Sequence, residues 1–286
     1  MASIQDSASR GMKSKGRLFD AAPPRPRLFS TVNPIGFYSL VRREVLRELR
    51  WFGMVIVGPA VQAVLFASVL TLAAADRLVL PSGLDFLAFL ATGLILSSVM
   101  QRAVETTGYS IMFDKLESDG LQDILGAPLS SLEILTAYLV TSVLTSLSIG
   151  IAIWLAMVLF GLGLPVNPLG TLFFATIAAA IFSAIGLIAA IFSRKWDSFS
   201  GFETFLILPA VFLSGTFFPL SAVPEGAWQT VFQLNPIFYL INGFRWGVLG
   251  VSDADPWVCA GVALAALSIL LVAASRLLAS GYKLKP

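Results

Sequence analysis

The chain has 286 residues, of which 57% are hydrophobic and only 13% charged, with a formal net charge of +2 and a mean hydropathy of +0.84. A soluble domain carries roughly 25% charged residues, so this polar surface is too small for a water-soluble fold; disorder and a disulfide-rich secreted scaffold are excluded by the same numbers. Histidine is absent and Cys259 is the only cysteine, which removes the commonest general base, the commonest zinc ligand and any internal disulfide.

Residues 1–33 lack the apolar core of a cleaved signal and combine Pro23, Pro24 and Pro26 with scattered arginines. They predict a flexible basic cytoplasmic arm. Over 34–50 an amphipathic helix is expected, with Asn33 as N-cap and Pro34 at the first helical position. Phe37, Leu40, Val45 and Leu49 make a narrow apolar stripe, while Arg42, Arg43, Arg47 and Arg50 stay polar. Such a helix lies along the inner leaflet with its arginines near anionic headgroups. It serves equally as a plain anchor or as a lever feeding into the first span.

A membrane helix needs about 20 mostly apolar residues. The uncharged stretches predict six spans between residues 51 and 280, at about 51–72, 86–109, 134–160, 169–193, 198–217 and 257–278. The second carries Arg102 and Glu105, spaced to pair on one helical face. Gly161, Gly163, Pro165, Asn167 and Pro168 divide the third from the fourth. The fifth carries Glu203, an intramembrane carboxylate that is a functional candidate by default, although its nearness to Arg194 and Lys195 favours a structural role.

Two connecting segments stand out. Between the second and third spans, Asp114, Glu117, Asp119, Asp123 and Glu133 face a single Lys115. Leu116, Leu121, Ile124 and Leu125 are spaced for a short helix that stops before Pro128. This acidic, partly apolar helix suits docking onto a soluble partner or a simple solvated loop. Between the fifth and sixth spans, residues 219–256 are aromatic and apolar but broken by Pro219, Pro224 and Asn235-Pro236. Each half is too short to span, which predicts a re-entrant or interfacial pair of short helices.

Of 19 Lys and Arg residues, ten fall in the first 50 positions, and six spans place all but Arg77 and Arg245 on the cytoplasmic side. Both termini, including a tail over 281–286, are therefore expected in the cytoplasm. No Walker A loop, dinucleotide fingerprint or metal-binding motif is present. The expected fold is an all-α integral membrane protein of six transmembrane helices, with an N-terminal interfacial helix and a re-entrant extracellular segment.

The order of these elements, the loop LESDGLQDILGAPLS and the stretch LPAVFLSGTFFPLSAVPEGAWQTVFQLNPIFYLINGFRWGVLG resemble the ABC-2 type permease family over about residues 34–280. These are membrane subunits of bacterial ABC exporters for drugs, polysaccharides and lipid-linked molecules. The resemblance implies a multi-pass protein of the bacterial inner membrane, without its own ATPase site or cofactor. Two copies would pair above two copies of a separate ATP-binding subunit, which binds ATP and Mg. Glu117, Gly120, Leu125, Pro128 and Ser130 fall on the family's coupling helix, and with Asp114 and Asp123 they form the expected ATPase-docking set. Arg42, Arg43 and Arg47 fall on its interfacial helix. Gly215, Pro219, Pro224, Asn235, Pro236 and Arg245 fall on its external re-entrant helices. Arg102, Glu105 and Glu203 are the intramembrane polar residues. Membrane lipid is an expected partner and nucleic acid is not. The alternative is a secondary transporter coupled to a proton or cation through Glu203.

Overall fold

A computed structural model describes residues 33–50, 52–74, 86–117, 120–217 and 226–281. The expected arm before Asn33, together with Pro219, Pro224 and the tail beyond Gly281, lies outside these residues. The described chain is helical, with α1 Pro34–Leu49, α2 Phe52–Ala74, α3 Phe86–Leu116, α4 Gly120–Gly126, α5 Ser131–Val158 and α6 Pro168–Phe192. Then come α7 Trp196–Phe202, a π-helical turn Glu203–Ile207, α8 Leu208–Phe212, α9 Ala227–Leu234, α10 Pro236–Leu249 and α11 Pro256–Ser280.

One device opens four of these helices. Asn33, Asn167, Asn235 and Asp255 each stand directly before a proline and accept a backbone N–H from the first turn. The side-chain oxygen satisfies an orphan donor, and the proline presets helical φ where its missing N–H is harmless. A fifth helix, α5, opens with a capping box in which Ser130 and Glu133 exchange side-chain and backbone hydrogen bonds.

Four described helices, α3, α5, α6 and α11, are long and apolar enough to cross a membrane. Within α2 the stretch Val55–Val69 is apolar. The third, fourth and sixth expected spans differ by only a few residues from α5, α6 and α11. The second is longer than expected: α3 runs on to Leu116, and its 31 residues give a rod of about 46 Å. The fifth departs from expectation. Residues 198–217 do not form one unbroken α-helix, because the ladder switches to π register at Glu203 and ends at Phe212. Pro209 is the physical reason, since it has no N–H to continue a regular ladder.

α3 is the most enclosed of the long helices and packs against α2, α5, α6 and α10. α11 lies against α6 and α10 and is the most exposed. Small residues allow the close approaches expected between helices in lipid. Thr107 and Ser183 share a hydrogen bond of 2.5 Å between α3 and α6, and the Ser142 hydroxyl donates to the Ala103 carbonyl at 3.1 Å. A Cβ at Gly108 would stand 2.0 Å from the Phe199 ring, so Gly108 is the seat into which α7 presses that side chain.

Candidate functional site

The basic end of the bundle is held by charge. Asp114, in the last turn of α3, is only 1% exposed. It accepts from Arg43 at 2.5 Å, from Arg47 at 3.1 Å and from the Tyr138 hydroxyl of α5 at 3.1 Å. Glu44, also 1% exposed, pairs with Arg47 and stands 3.3 Å from Arg43 Nε. Burial pushes the Glu44 carboxyl up to about 7 although two arginines flank it and favour its charged form. Removal from water outweighs the pairing here, a recognised outcome for buried ions.

Two sequence expectations change here. Asp114 cannot belong to an exposed docking set, because it is sequestered between α1, α3 and α5. Arg43 and Arg47 reach Asp114 rather than pointing only to headgroups, although Arg43 keeps 40% of its side chain exposed, and Arg42 is exposed. The apolar stripe also rotates: Phe37 and Leu40 pack inward, but Leu49 is exposed together with Ile35, Tyr38 and Leu46. Charged partners on α3 decide which face of α1 is buried, and the local pattern does not contain them.

The loop after α3 follows the expected short helix. Leu121 and Ile124 anchor α4, while Asp123 and Leu125 face outward. Gly120 starts the helix, and Pro128 precedes the Ser130 cap. Glu117 accepts from Trp196 Nε1 at 3.1 Å, so it braces α7. Lys115 caps α6 by donating to the carbonyls of Ile191 and Ser193 at 3.0 and 2.8 Å.

A second string of charge runs deeper along α3. Arg102 pairs with Glu48 of α1 and, at 3.1 Å, with Glu105. The Glu105 carboxyl meets that of Glu203, which also accepts from the Tyr109 hydroxyl at 3.2 Å. Glu203 is the first residue of the π-turn. The helix pairing of Arg102 with Glu105 was legible in the sequence. The Glu105–Glu203 meeting was not, and its only local signal was Pro209 within an apolar run.

Beside this string lies an open groove of about 580 Å³ between α2, α3, α8 and the following turn. Gln62, Ser98, Gln101, Arg102 and Glu105 line its polar end. Phe66, Phe212 and Phe217 line its apolar part, with ring centroids 5.5 Å apart for Phe66–Phe217 and 5.2 Å for Phe212–Phe217. Phe205 points elsewhere and is 83% exposed.

At the opposite end, the break at Asn235-Pro236 is tied down. Asn235 Nδ2 donates to the carbonyls of Ala210 and Leu213 at 2.9 and 3.2 Å. Arg245, only 3% exposed, donates to the Gly215 carbonyl at 3.0 Å and lies 3.7 Å over the Phe89 ring. Gly215 has φ +78°, a conformation that favours glycine. α10 also pairs with the turn before α6, where the Asn167 N–H donates to the Gly247 carbonyl at 2.8 Å. Sequence reading grouped Gly215, Asn235, Pro236 and Arg245 in one segment, and the structure brings them together around the ends of α8 and α3.

Four long apolar helices, tied by buried polar contacts at both ends, define a multi-pass membrane protein. The chain belongs to the ABC-2 type transporter family, whose model matches residues 36–249. It is similar to the inner membrane transport permease YadH of Escherichia coli (strain K12), with 28% identity over 222 residues, covering 77% of this chain and 85% of YadH. It is also similar to nodulation protein J of Rhizobium leguminosarum bv. viciae, with 25% identity over 181 residues, covering 63% of this chain and 69% of that protein.

Proposed function

We propose that this chain is the membrane subunit of an ABC exporter in the bacterial inner membrane. Two identical copies pair, and two copies of a separate ATP-binding subunit dock at their basic ends, with both termini in the cytoplasm. The partner binds ATP and Mg and hydrolyses the nucleotide. The permease moves a hydrophobic, lipid-linked or polysaccharide substrate outward by alternating access or lateral opening.

The observation that supports this reading best is the mounting of α4. Leu121 and Ile124 fix its inner face, and Asp123 and Leu125 are presented outward. The residues around it lead directly to α3, α5 and α1. A push on α4 therefore reaches three helices through packed side chains and charge-assisted bonds rather than through a slack loop. The Gly215, Asn235 and Arg245 contacts would keep the far end of the pathway closed between turnovers.

Coupling to a proton or cation through Glu203 has weaker support. Among the described residues, α2 and α6 contain no carboxylate, and the one in α5 is Glu133 in its first turn. The deeper carboxylates end at Glu105 and Glu203, which gives no relay across the bundle.

Co-purification tests the exporter reading. Wild type should retain an ATP-binding subunit expressed with it, and D123K/L125E should lose at least about tenfold of that retention. Both changed side chains are outward-facing, so folding should persist. Equal retention by the two proteins would remove α4 as the docking element.

A further inference from the structure

We propose that a crevice between α6, α7 and α11 binds one anionic phospholipid, with an acyl chain in the crevice and the phosphate beside Arg194 and Lys195. The inference goes beyond the exporter reading and needs only the membrane around the chain.

The crevice is open and has a volume of about 440 Å³. Ile185, Ile188 and Phe192 of α6, Phe202 of α7 and Leu270 of α11 make its apolar walls. Seven residue steps separate Ile185 from Phe192, so it runs about 10 Å along α6. One leaflet contributes about 15 Å of hydrocarbon. The crevice therefore takes the headgroup-proximal part of an acyl chain. Ser193 and Ser198 line its end. Ser198 is exposed, and its hydroxyl has no hydrogen-bond partner among the described residues, so it can donate to a phosphate or ester oxygen.

Charge complementarity selects the kind of lipid. α6 and α11 contain no carboxylate, and α7 contains one, Asp197. Against it stand Arg194 and Lys195 in the turn after α6, and Arg276 six residues beyond Leu270 on α11. All four side chains are exposed. Arg194 and Lys195 do not line the crevice. They follow the lining Ser193 at its end, which is where a headgroup emerges above a buried chain. Neither forms an ion pair among the described residues.

Neighbouring groups on α3 do not occupy these two cations. Lys115 already meets the α6 carbonyls of Ile191 and Ser193, and Glu117 accepts from Trp196. Two unpaired cations beside an apolar crevice match a phosphate above an acyl chain. A zwitterionic lipid brings an ammonium of its own toward the same two cations, and that repulsion offsets the attraction of its phosphate.

Native mass spectrometry tests the site on the full chain in detergent. Dioleoylphosphatidylglycerol and dioleoylphosphatidylcholine are titrated separately, and each spectrum counts bound lipids and gives a Kd. One basic residue near an anionic headgroup corresponds to about fivefold in affinity. Wild type should hold one phosphatidylglycerol at least about tenfold more tightly than phosphatidylcholine. R194Q/K195Q should abolish that preference. I188W narrows the crevice without changing charge and should abolish tight binding, with helical content and size-exclusion profile confirming the fold. R42Q removes a cation from the exposed face of α1, away from the crevice, and should bind like wild type.

Equal retention of the two lipids would overturn the proposal, as would a preference that survives in R194Q/K195Q or in I188W. Loss of the preference in R42Q would do the same, by showing that surface charge in general attracts the lipid. Retention of neither lipid would also overturn it and assign the crevice to another occupant, such as a second copy of the chain. Capture of an ATP-binding subunit is read separately, so the exporter reading and this site fail independently.

Discussion

Asn33 and Glu133, one hundred positions apart, share a hydrogen bond of 2.6 Å from the Asn33 backbone N–H to Glu133 Oε1. The other oxygen, Oε2, accepts from the backbone N–H and hydroxyl of Ser130 at 2.7 and 2.8 Å. Asn33 Nδ2 in turn donates to the Pro128 carbonyl at 3.2 Å. One carboxylate thus closes the cap of α5 and fixes the start of α1 against it. These backbone bonds hold the Glu133 carboxyl below its ordinary pKa.

Replacing Glu133 by alanine should therefore loosen two helix starts at once. Hydrogen exchange should rise both in the first turn of α1 and over residues 127–133. S130A should affect the α5 start while leaving the Asn33 N–H bond to Glu133 in place. Exchange confined to α5 in E133A would show that the Asn33 contact does not hold α1.

Glu44 makes stability depend on pH. Its carboxyl is raised from 4.5 to about 7 by burial, so folding favours the protonated form. The resulting stabilisation is complete below pH 4.5 and is lost as pH rises through about 7. Between pH 5 and 8, the apparent Tm of wild type should fall relative to E44Q by about 2–4 °C. Parallel Tm profiles for the two proteins would show that Glu44 is charged throughout.

Arg245 is held by one carbonyl and one ring, while its Nε and Nη1 atoms have no hydrogen-bond partner. R245A should nevertheless destabilise, by about 2–4 kcal/mol, because it opens a cavity and releases Gly215. F89L, which removes only the aromatic face, should cost about 0.5–2 kcal/mol. Chemical unfolding measures both, and hydrogen exchange should rise over residues 213–217 in R245A alone.

The seat of Phe199 is testable by a double-mutant cycle. G108A forces the Phe199 ring to move, since the new Cβ would stand 2.0 Å from it. The loss of stability in G108A should be about 1–3 kcal/mol, as for other overpacked cores. F199A also destabilises by itself, but the double variant should be clearly less destabilised than the sum. Additive effects would place the strain of G108A somewhere other than Phe199.

Much of the bundle is readable from residue order. Asx-Pro pairs at Asn33, Asn167, Asn235 and Asp255 mark helix starts, and uncharged runs mark α5, α6 and α11. Leu121 and Ile124 before Pro128 announce α4. The partners of Asp114 and Glu203 were not readable, because they lie on other helices 24 or more positions away. Local periodicity reports which face of a helix is apolar. It does not report that Arg43 and Arg47 of α1 reach across to a buried carboxylate on α3. The π-turn was equally hidden, since Pro209 signals a disturbed ladder without giving its register.

α3 carries contacts of opposite character at its two ends, Phe89 under Arg245 and Asp114 under Arg43 and Arg47. The 25 residue steps between them correspond to about 37 Å of continuous helix. A stiff rod of that length, pivoting near its middle, swings each end by about 1 Å for every 3° of tilt. An arc of 1 Å changes a 3.1 Å hydrogen bond beyond recognition, but hardly disturbs a greasy contact. The geometry therefore acts as a discriminator of motion: small rocking of α3 displaces the Arg102 pairs near the pivot least and registers first at the hydrogen bonds to Asp114.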